Sequence, residues 1–149
     1  MSRAPQDRIA LPVPYVKQIR AIAAAENQTI TGVIGDLIRS KIADGVIPAE
    51  LPGFDVEASE SEIKIVTADG FEVALDSKEG RDLANALRQR NTVKLRVPSI
   101  HLERANSGLR LVSPVTGQKH PVSPSVASDL GDFIARKIDD AEKKTDETK

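Results

Sequence analysis

The sequence has no cysteine and no tryptophan, and it has only one tyrosine and three phenylalanines in 149 residues. The absence of cysteine excludes a disulfide framework and thiol chemistry. Aromatic residues make up 3% and apolar residues 40% of the chain, so the core must be aliphatic. No apolar run approaches the length of a membrane span, and no signal-like stretch opens the chain. We therefore expect a cytoplasmic protein that does not contact a membrane.

Residues that could carry catalysis or bind a metal are also scarce. His101 lies two residues before Glu103, so both share a strand face, but one histidine and one carboxylate are too few ligands for a metal site. No serine is paired with a base at a recognisable spacing, and the glycines are too scattered for a phosphate-binding loop. The sequence therefore predicts neither an enzyme nor a bound cofactor or metal.

Charge is distributed unevenly along a chain whose formal net charge is −1. Residues 1–48 carry six lysines and arginines against four acids, a net charge of +2 that doubles in a dimer and suits a few phosphate contacts. A second basic run from Arg88 to Arg110 holds six basic residues and one acid, Glu103. This run fits either a solvated sheet face or a contact for a nucleic-acid backbone or an acidic partner.

Residues 8–42 combine a short alternating segment with two helical segments. The alternation predicts a strand. Its apolar side holds Ile9 and Leu11, and its other side holds Gln6, Arg8 and Ala10. Apolar residues then recur at three- and four-residue steps, which predicts two amphipathic helices. The first stripe is Tyr15, Val16, Ile19, Ile22 and Ala23, and the second is Ile30, Ile34, Leu37, Ile38 and Ile42.

Local signals mark the ends of these helices. Asn27 suits a left-handed C-cap of the first helix, Thr29 or Thr31 can cap the second, and Gly45 and Pro48 end it. Gly35 lies inside the second helix and costs about 1 kcal/mol relative to alanine, unless two helices cross closely there. A unit of about 35 residues cannot bury a core alone, so the segment predicts a dimer.

In the order and spacing of these residues, the segment 6–47 resembles the ribbon-helix-helix family of bacterial and phage DNA-binding repressors. The matching positions are Leu11, Pro12, Tyr15, Ile19, Ile22, Ala23, Asn27, Thr29, Thr31, Ile34, Leu37 and Ile38. The resemblance implies a homodimer, or a higher oligomer built from it, whose paired strands enter the major groove of double-stranded DNA.

The resemblance also implies a role for individual residues. The expected base-contacting residues are Gln6, Arg8 and Ala10, since glutamine suits adenine and arginine suits guanine. The expected phosphate-contacting residues at the start of the second helix are Thr29, Ile30 and Thr31. The expected dimer core consists of Ile9, Leu11, Ile19, Ile22, Ile34, Leu37 and Ile38.

The rest of the chain predicts an acidic linker over 48–61, a small α+β domain over 62–141 and a disordered tail over 142–149. Two hairpin–helix units are expected in the α+β domain, and their similarity suggests an internal duplication. In the first unit a turn at Asp69-Gly70 joins the strands, and in the second the turn is Pro114 to Gly117. The whole chain is thus expected to be α+β, with a ribbon-helix-helix N-terminus.

Three functions fit these observations. The first is a dimeric DNA-binding transcriptional regulator, a repressor, whose residues 62–141 assemble dimers, sense a signal or bind a protein partner. The second is the antitoxin of a toxin–antitoxin pair, although such proteins usually carry a disordered toxin-binding tail. The third is an interaction module whose N-terminal unit only dimerises and does not bind DNA.

Overall fold

The computed structural model describes residues 6–89, 94–105 and 108–147. These residues form two compact units, which divide between Ala49 and Glu50. We call the first the helical unit and the second the α+β unit.

The helical unit contains two helices, α1 (Val13–Ala25) and α2 (Ile30–Ala43). Pro12 stands at the N-cap of α1, where its missing N–H is not needed. Asn27 has a left-handed φ of 52°. It closes α1 with two backbone bonds, from the Asn27 N–H to the Ala24 carbonyl (3.3 Å) and from the Gln28 N–H to the Ala23 carbonyl (2.9 Å). Gly45 closes α2 in the same way, so both helix ends follow from local sequence.

The expected ribbon-helix-helix N-terminus is wrong. The chain begins with two helices and its strands all come after them, while the described residues before Val13 form no regular structure. A strand exists only when its N–H and C=O groups meet a partner strand. Pro12 and Pro14 remove backbone donors at this point, and helix α1 begins directly after Pro12. Alternation of apolar and polar residues was therefore an insufficient basis for predicting a strand at residues 6–11.

Two antiparallel sheets and two helices make up the α+β unit. The strands β1 (Phe54–Ala58), β2 (Glu62–Thr67) and β3 (Glu72–Asp76) form the first sheet in that order, and helix α3 (Ser77–Arg88) follows. The second sheet has the order β4 (Lys94–Val97), β5 (Ile100–Ala105), β6 (Gly108–Val112) and β7 (Lys119–Val122). Helix α4 (Pro124–Glu147) follows it. A hairpin followed by a helix thus occurs twice, as β2–β3–α3 and as β6–β7–α4.

Two boundaries differ from the sequence-based expectation. Strand β1 lies inside the segment expected to be an acidic linker, because Val56 alternates with exposed Asp55 and Glu57 and is itself buried. Helix α4 continues to Glu147, past residue 142, where a disordered tail was expected to begin. In both places a high content of charged residues concealed a regular element.

A single aliphatic core joins the two sheets and both helices of the α+β unit. Its fully buried large side chains are Ile63, Ile65, Leu75, Leu83, Ile100, Leu102, Leu111, Leu130 and Ile134. Helices α3 and α4 pack closely at Gly131, where a Cβ atom would lie 2.8 Å from the carbonyl oxygen of Ala84. Only glycine permits this approach of the two backbones.

Two polar side chains tie distant parts of the α+β unit together. Glu79 forms a capping box with Asp76 at the start of α3. Its carboxylate also accepts hydrogen bonds from the Ser99 N–H (2.9 Å) and the Ser99 hydroxyl (3.0 Å) in the β4–β5 turn. Glu79 is buried, and several donors share its charge, which makes its burial tolerable.

His120 on β7 makes the second tie. Its Nδ1 lies 2.9 Å from Oδ2 of Asp69 in the β2–β3 turn, and its ring packs edge-on against Phe54 at 5.4 Å between centroids. The Thr67 hydroxyl donates to the other oxygen of Asp69. The pKa of the Asp69 carboxyl falls from 3.8 to about 2, chiefly because of the Thr67 hydroxyl and also because of His120. The two hairpins are therefore joined by a buried histidine.

We expect Glu79→Ala to lower the free energy of unfolding by about 2 kcal/mol, since it leaves the donors of Asp76 and Ser99 without their acceptor. Glu79→Gln keeps one acceptor oxygen and should lose less. Urea denaturation measures both, with the exposed Glu50→Ala as the matched control. A change within about 0.5 kcal/mol for Glu79→Ala would contradict this role.

Asp69 predicts a specific acid sensitivity. Because its pKa is lower in the folded chain than in the unfolded chain, its stabilising effect is present above pH 3.8 and is lost as the pH falls toward about 2. The difference in unfolding free energy between the wild type and Asp69→Asn should therefore shrink over this interval. Denaturant titrations at a series of pH values measure it, with Asp55→Asn as the control. A difference that stays constant with pH would refute the prediction.

Candidate nucleic-acid interface

The helical unit has very little interior of its own. Ala23 on α1 and Gly35 on α2 are its buried residues within the described part of the chain. Both are small, so little apolar surface is buried between α1 and α2. Val16 and Ile19 of α1 are half-buried. The two helices therefore contact each other through a narrow strip and leave most of their apolar surface uncovered.

The residues expected to form a dimer core lie largely on this uncovered surface. Leu37 is 58% exposed and Ile38 46% exposed. The other exposed members of the set are Ile9, Leu11, Ile22 and Ile34, and Ile19 is half-buried. Tyr15, expected on the same stripe of α1, is exposed as well. In the single chain these side chains face solvent, so their role in a dimer remains a prediction.

The expected base-contacting residues lie in the irregular segment before α1. Gln6, Arg8 and Ala10 are all exposed, and so are Ile9 and Leu11 between and after them. Exposure therefore does not distinguish a base-facing side from a core-facing side in this segment. The arginine is accessible to a ligand, although no neighbouring element in the described structure holds it in one direction.

The start of α2 has the local geometry of an anion site. The Thr29 hydroxyl accepts a hydrogen bond from the Gly32 N–H at 3.0 Å, which fixes the cap. Ile30 and Thr31 form the exposed first turn, where backbone N–H groups have no partner within the helix and the helix dipole is positive. Of the three residues expected to contact phosphate, Thr29 therefore uses its side chain to cap the helix. Ile30 and Thr31 expose main-chain N–H groups.

A glutamine organises the turn that precedes this helix. The Gln28 side-chain amide donates to Glu26 and, at 3.1 Å, to Asp36 of α2. Asp36 also pairs with Arg39 at 2.8 Å. Gln28 was not predicted as a structural residue, because its partner on α2 lies eight residues away and no local pattern indicates it.

The basic run from Arg88 to Arg110 does not form one patch. Arg88 belongs to α3 and bonds to Asn85 on its own helix, at 2.8 Å, while Arg96 and Arg110 belong to the second sheet. Arg110 pairs with Glu103 at 3.2 Å on the neighbouring strand. Arg90 lies outside the described residues. These charges are close in sequence, but they lie on different elements and on different sides of the strands.

No metal-binding group of three or more His, Asp or Glu residues occurs in the described ranges. Across these same ranges, none of the helices has the length and apolar character needed to cross a bilayer. Comparisons with models of protein families, with curated proteins and with solved structures find no match for this chain.

Proposed function

We propose that the chain is a dimeric, sequence-specific DNA-binding regulator of the repressor type that acts in the cytoplasm. The observation that carries this proposal is the apolar surface that α1 and α2 leave exposed. Burial of one leucine or isoleucine side chain contributes about 1.5–3 kcal/mol, so several such side chains left in water are a strong drive to associate. A second copy of the same unit supplies a matching apolar surface.

DNA contact is proposed for the exposed polar groups next to this surface. The segment before α1 offers Arg8, which can bond two acceptors of a guanine at once, and Gln6, which suits adenine. The first turn of α2 offers main-chain N–H groups to a phosphate, with Thr29 holding the turn in shape. Dimerisation places two copies of each group on one particle, and residues 1–48 contribute a net charge of +2 per copy.

The dimer is tested with the double variant Leu37→Gln, Ile38→Gln. We expect its dimer dissociation constant to rise at least about tenfold, since two exposed apolar side chains lose their burial. Sedimentation equilibrium measures the constant, and circular dichroism reports whether α1 and α2 remain helical. Val115→Gln, an apolar position in the α+β unit that is more exposed than either, is the control. A wild-type chain that stays monomeric at micromolar concentration contradicts the proposal.

The DNA contact is tested by selecting bound duplexes from a random pool and then measuring the affinity of the selected site. We expect Arg8→Ala to weaken that affinity about tenfold or more and to relax the preference at one base position, without lowering the melting temperature. Arg20→Ala, an exposed arginine of α1, is the control for a general loss of positive charge. Random recovery of sequences by the wild type would indicate that the helical unit dimerises without reading DNA.

A further inference from the structure

The two sheets of the α+β unit present outer faces of opposite charge. On the first sheet, strand alternation places the apolar residues in the core and the charged residues outside. The outer charged side chains are Asp55, Glu57, Glu62, Lys64, Glu72 and Asp76, all exposed. We call this set the acidic face. It holds five carboxylates and one lysine, a net charge of −4.

Lys64 does not neutralise the acidic face. Its Nζ lies 2.9 Å from Oε1 of Glu72, so one carboxylate is paired within the face. The pKa of the Lys64 ammonium is raised, first by this hydrogen bond to Glu72 and further by the charges of Glu57 and Glu62. The lysine therefore experiences several carboxylates at once, and one lysine among five carboxylates leaves the face with a net charge of −4.

The second sheet has the opposite character. The strand register places Arg96 beside His101, His101 beside Val112, and Val112 beside Lys119, which makes one row across all four strands. Three strand spacings separate the two ends of this row, a span of about 14 Å. Arg96 and Lys119 at the ends are exposed.

The next row on the same side pairs Glu103 with Arg110 at 3.2 Å. We call Arg96, His101, Glu103, Arg110 and Lys119 the basic face. Apart from His101, the described side chains of this face are three basic groups and one carboxylate, which give a net charge of +2. Its one ion pair lies within the face, as does that of the acidic face, so Arg96 and Lys119 retain their charge.

We propose that the acidic face of one copy docks on the basic face of a second copy. The two faces are opposite in sign, and they lie on sheets of three and four strands. Val66 and Ala74 on the acidic face and Pro121 on the basic face add apolar contact between the charges. Complementary charge of this kind sets the orientation and choice of partner more than the raw affinity.

A second copy explains both faces, whereas duplex DNA explains only one. A duplex carries one phosphate charge per about 1.7 Å, so the acidic face would repel it. A self-complementary protein surface needs no additional partner. This contact is independent of the apolar surface of the helical unit, and a dimer formed there would raise the local concentration of the second copy.

The test uses two charge-reversed full-length variants without DNA. One carries Asp55→Lys, Glu57→Lys and Glu62→Lys, which change the acidic face from −4 to +2. The other carries Arg96→Glu and Lys119→Glu, which make the basic face negative. All five positions are exposed and lie outside the ion pairs of the faces, so both variants should unfold at the wild-type temperature.

Sedimentation velocity at about 0.1 M and about 1 M salt measures the association, because the screening length falls from about 10 Å to about 3 Å over this range. We expect the wild type to associate beyond the species held by the helical unit and to lose this association about tenfold or more at high salt. Each reversed variant alone should lack it. An equimolar mixture of the two should restore it, since the positive former acidic face then meets the negative former basic face.

The control is Arg136→Glu, Lys143→Glu on helix α4. It changes the net charge by −4, as the basic-face variant does, at positions that belong to neither face. Three results would overturn the proposal. The first is a wild type without salt-sensitive association at submillimolar concentration, and the second is a mixture of folded variants that fails to associate. The third is a variant Arg96→Glu, Lys119→Glu that assembles like the wild type but loses DNA affinity. The last result would make DNA the occupant of the basic face. The dimer proposed for the helical unit is tested separately by the association that persists at about 1 M salt, because an apolar contact does not weaken with salt.

Discussion

Two short helices cannot surround their own apolar side chains, and this constraint governs the N-terminal part of the chain. When α1 packs on α2, only Ala23 and Gly35 become buried among the described residues, and leucine and isoleucine side chains remain in water. Burial of this surface would stabilise the unit, and the chain has no cysteine with which to form a disulfide in place of a partner. The proposed dimer, and the proposed DNA contact beside it, both depend on this unmet burial.

The α+β unit is built on the opposite principle. Its two sheets and two helices enclose one core. Two polar contacts join distant elements: Glu79 of α3 bonds to Ser99 in the β4–β5 turn, and His120 of β7 bonds to Asp69 in the β2–β3 turn. A unit that satisfies its own interior is free to use its outer faces for recognition. We therefore interpret the acidic and basic faces as surfaces for a partner. The helical unit, in contrast, lacks enough buried apolar surface to form a core by itself.

Local signals could be predicted from the sequence, and pairings between distant segments could not. The left-handed Asn27 and the Thr29 cap follow from side chains within three residues of the helix ends. The strand expected at residues 6–11 was wrong because a strand is defined by a partner, and alternation does not supply one. Strand β1 was hidden by its acidic outer side, although Val56 is buried. The roles of Gln28 and His120 depend on contacts eight and fifty-one residues away, which no local pattern encodes.

The most direct measurement of the central claim is amide hydrogen exchange of the full chain at several protein concentrations in about 1 M salt, which screens the contact proposed between the charged faces. If a second copy covers the helical unit, protection of the amides in α1 and α2 should rise with concentration, while the strands and helices of the α+β unit exchange at constant rates. Protection of Val13–Ala25 and Ile30–Ala43 that does not change between dilute and concentrated samples would contradict the account, because the two helices would then be stable without a partner.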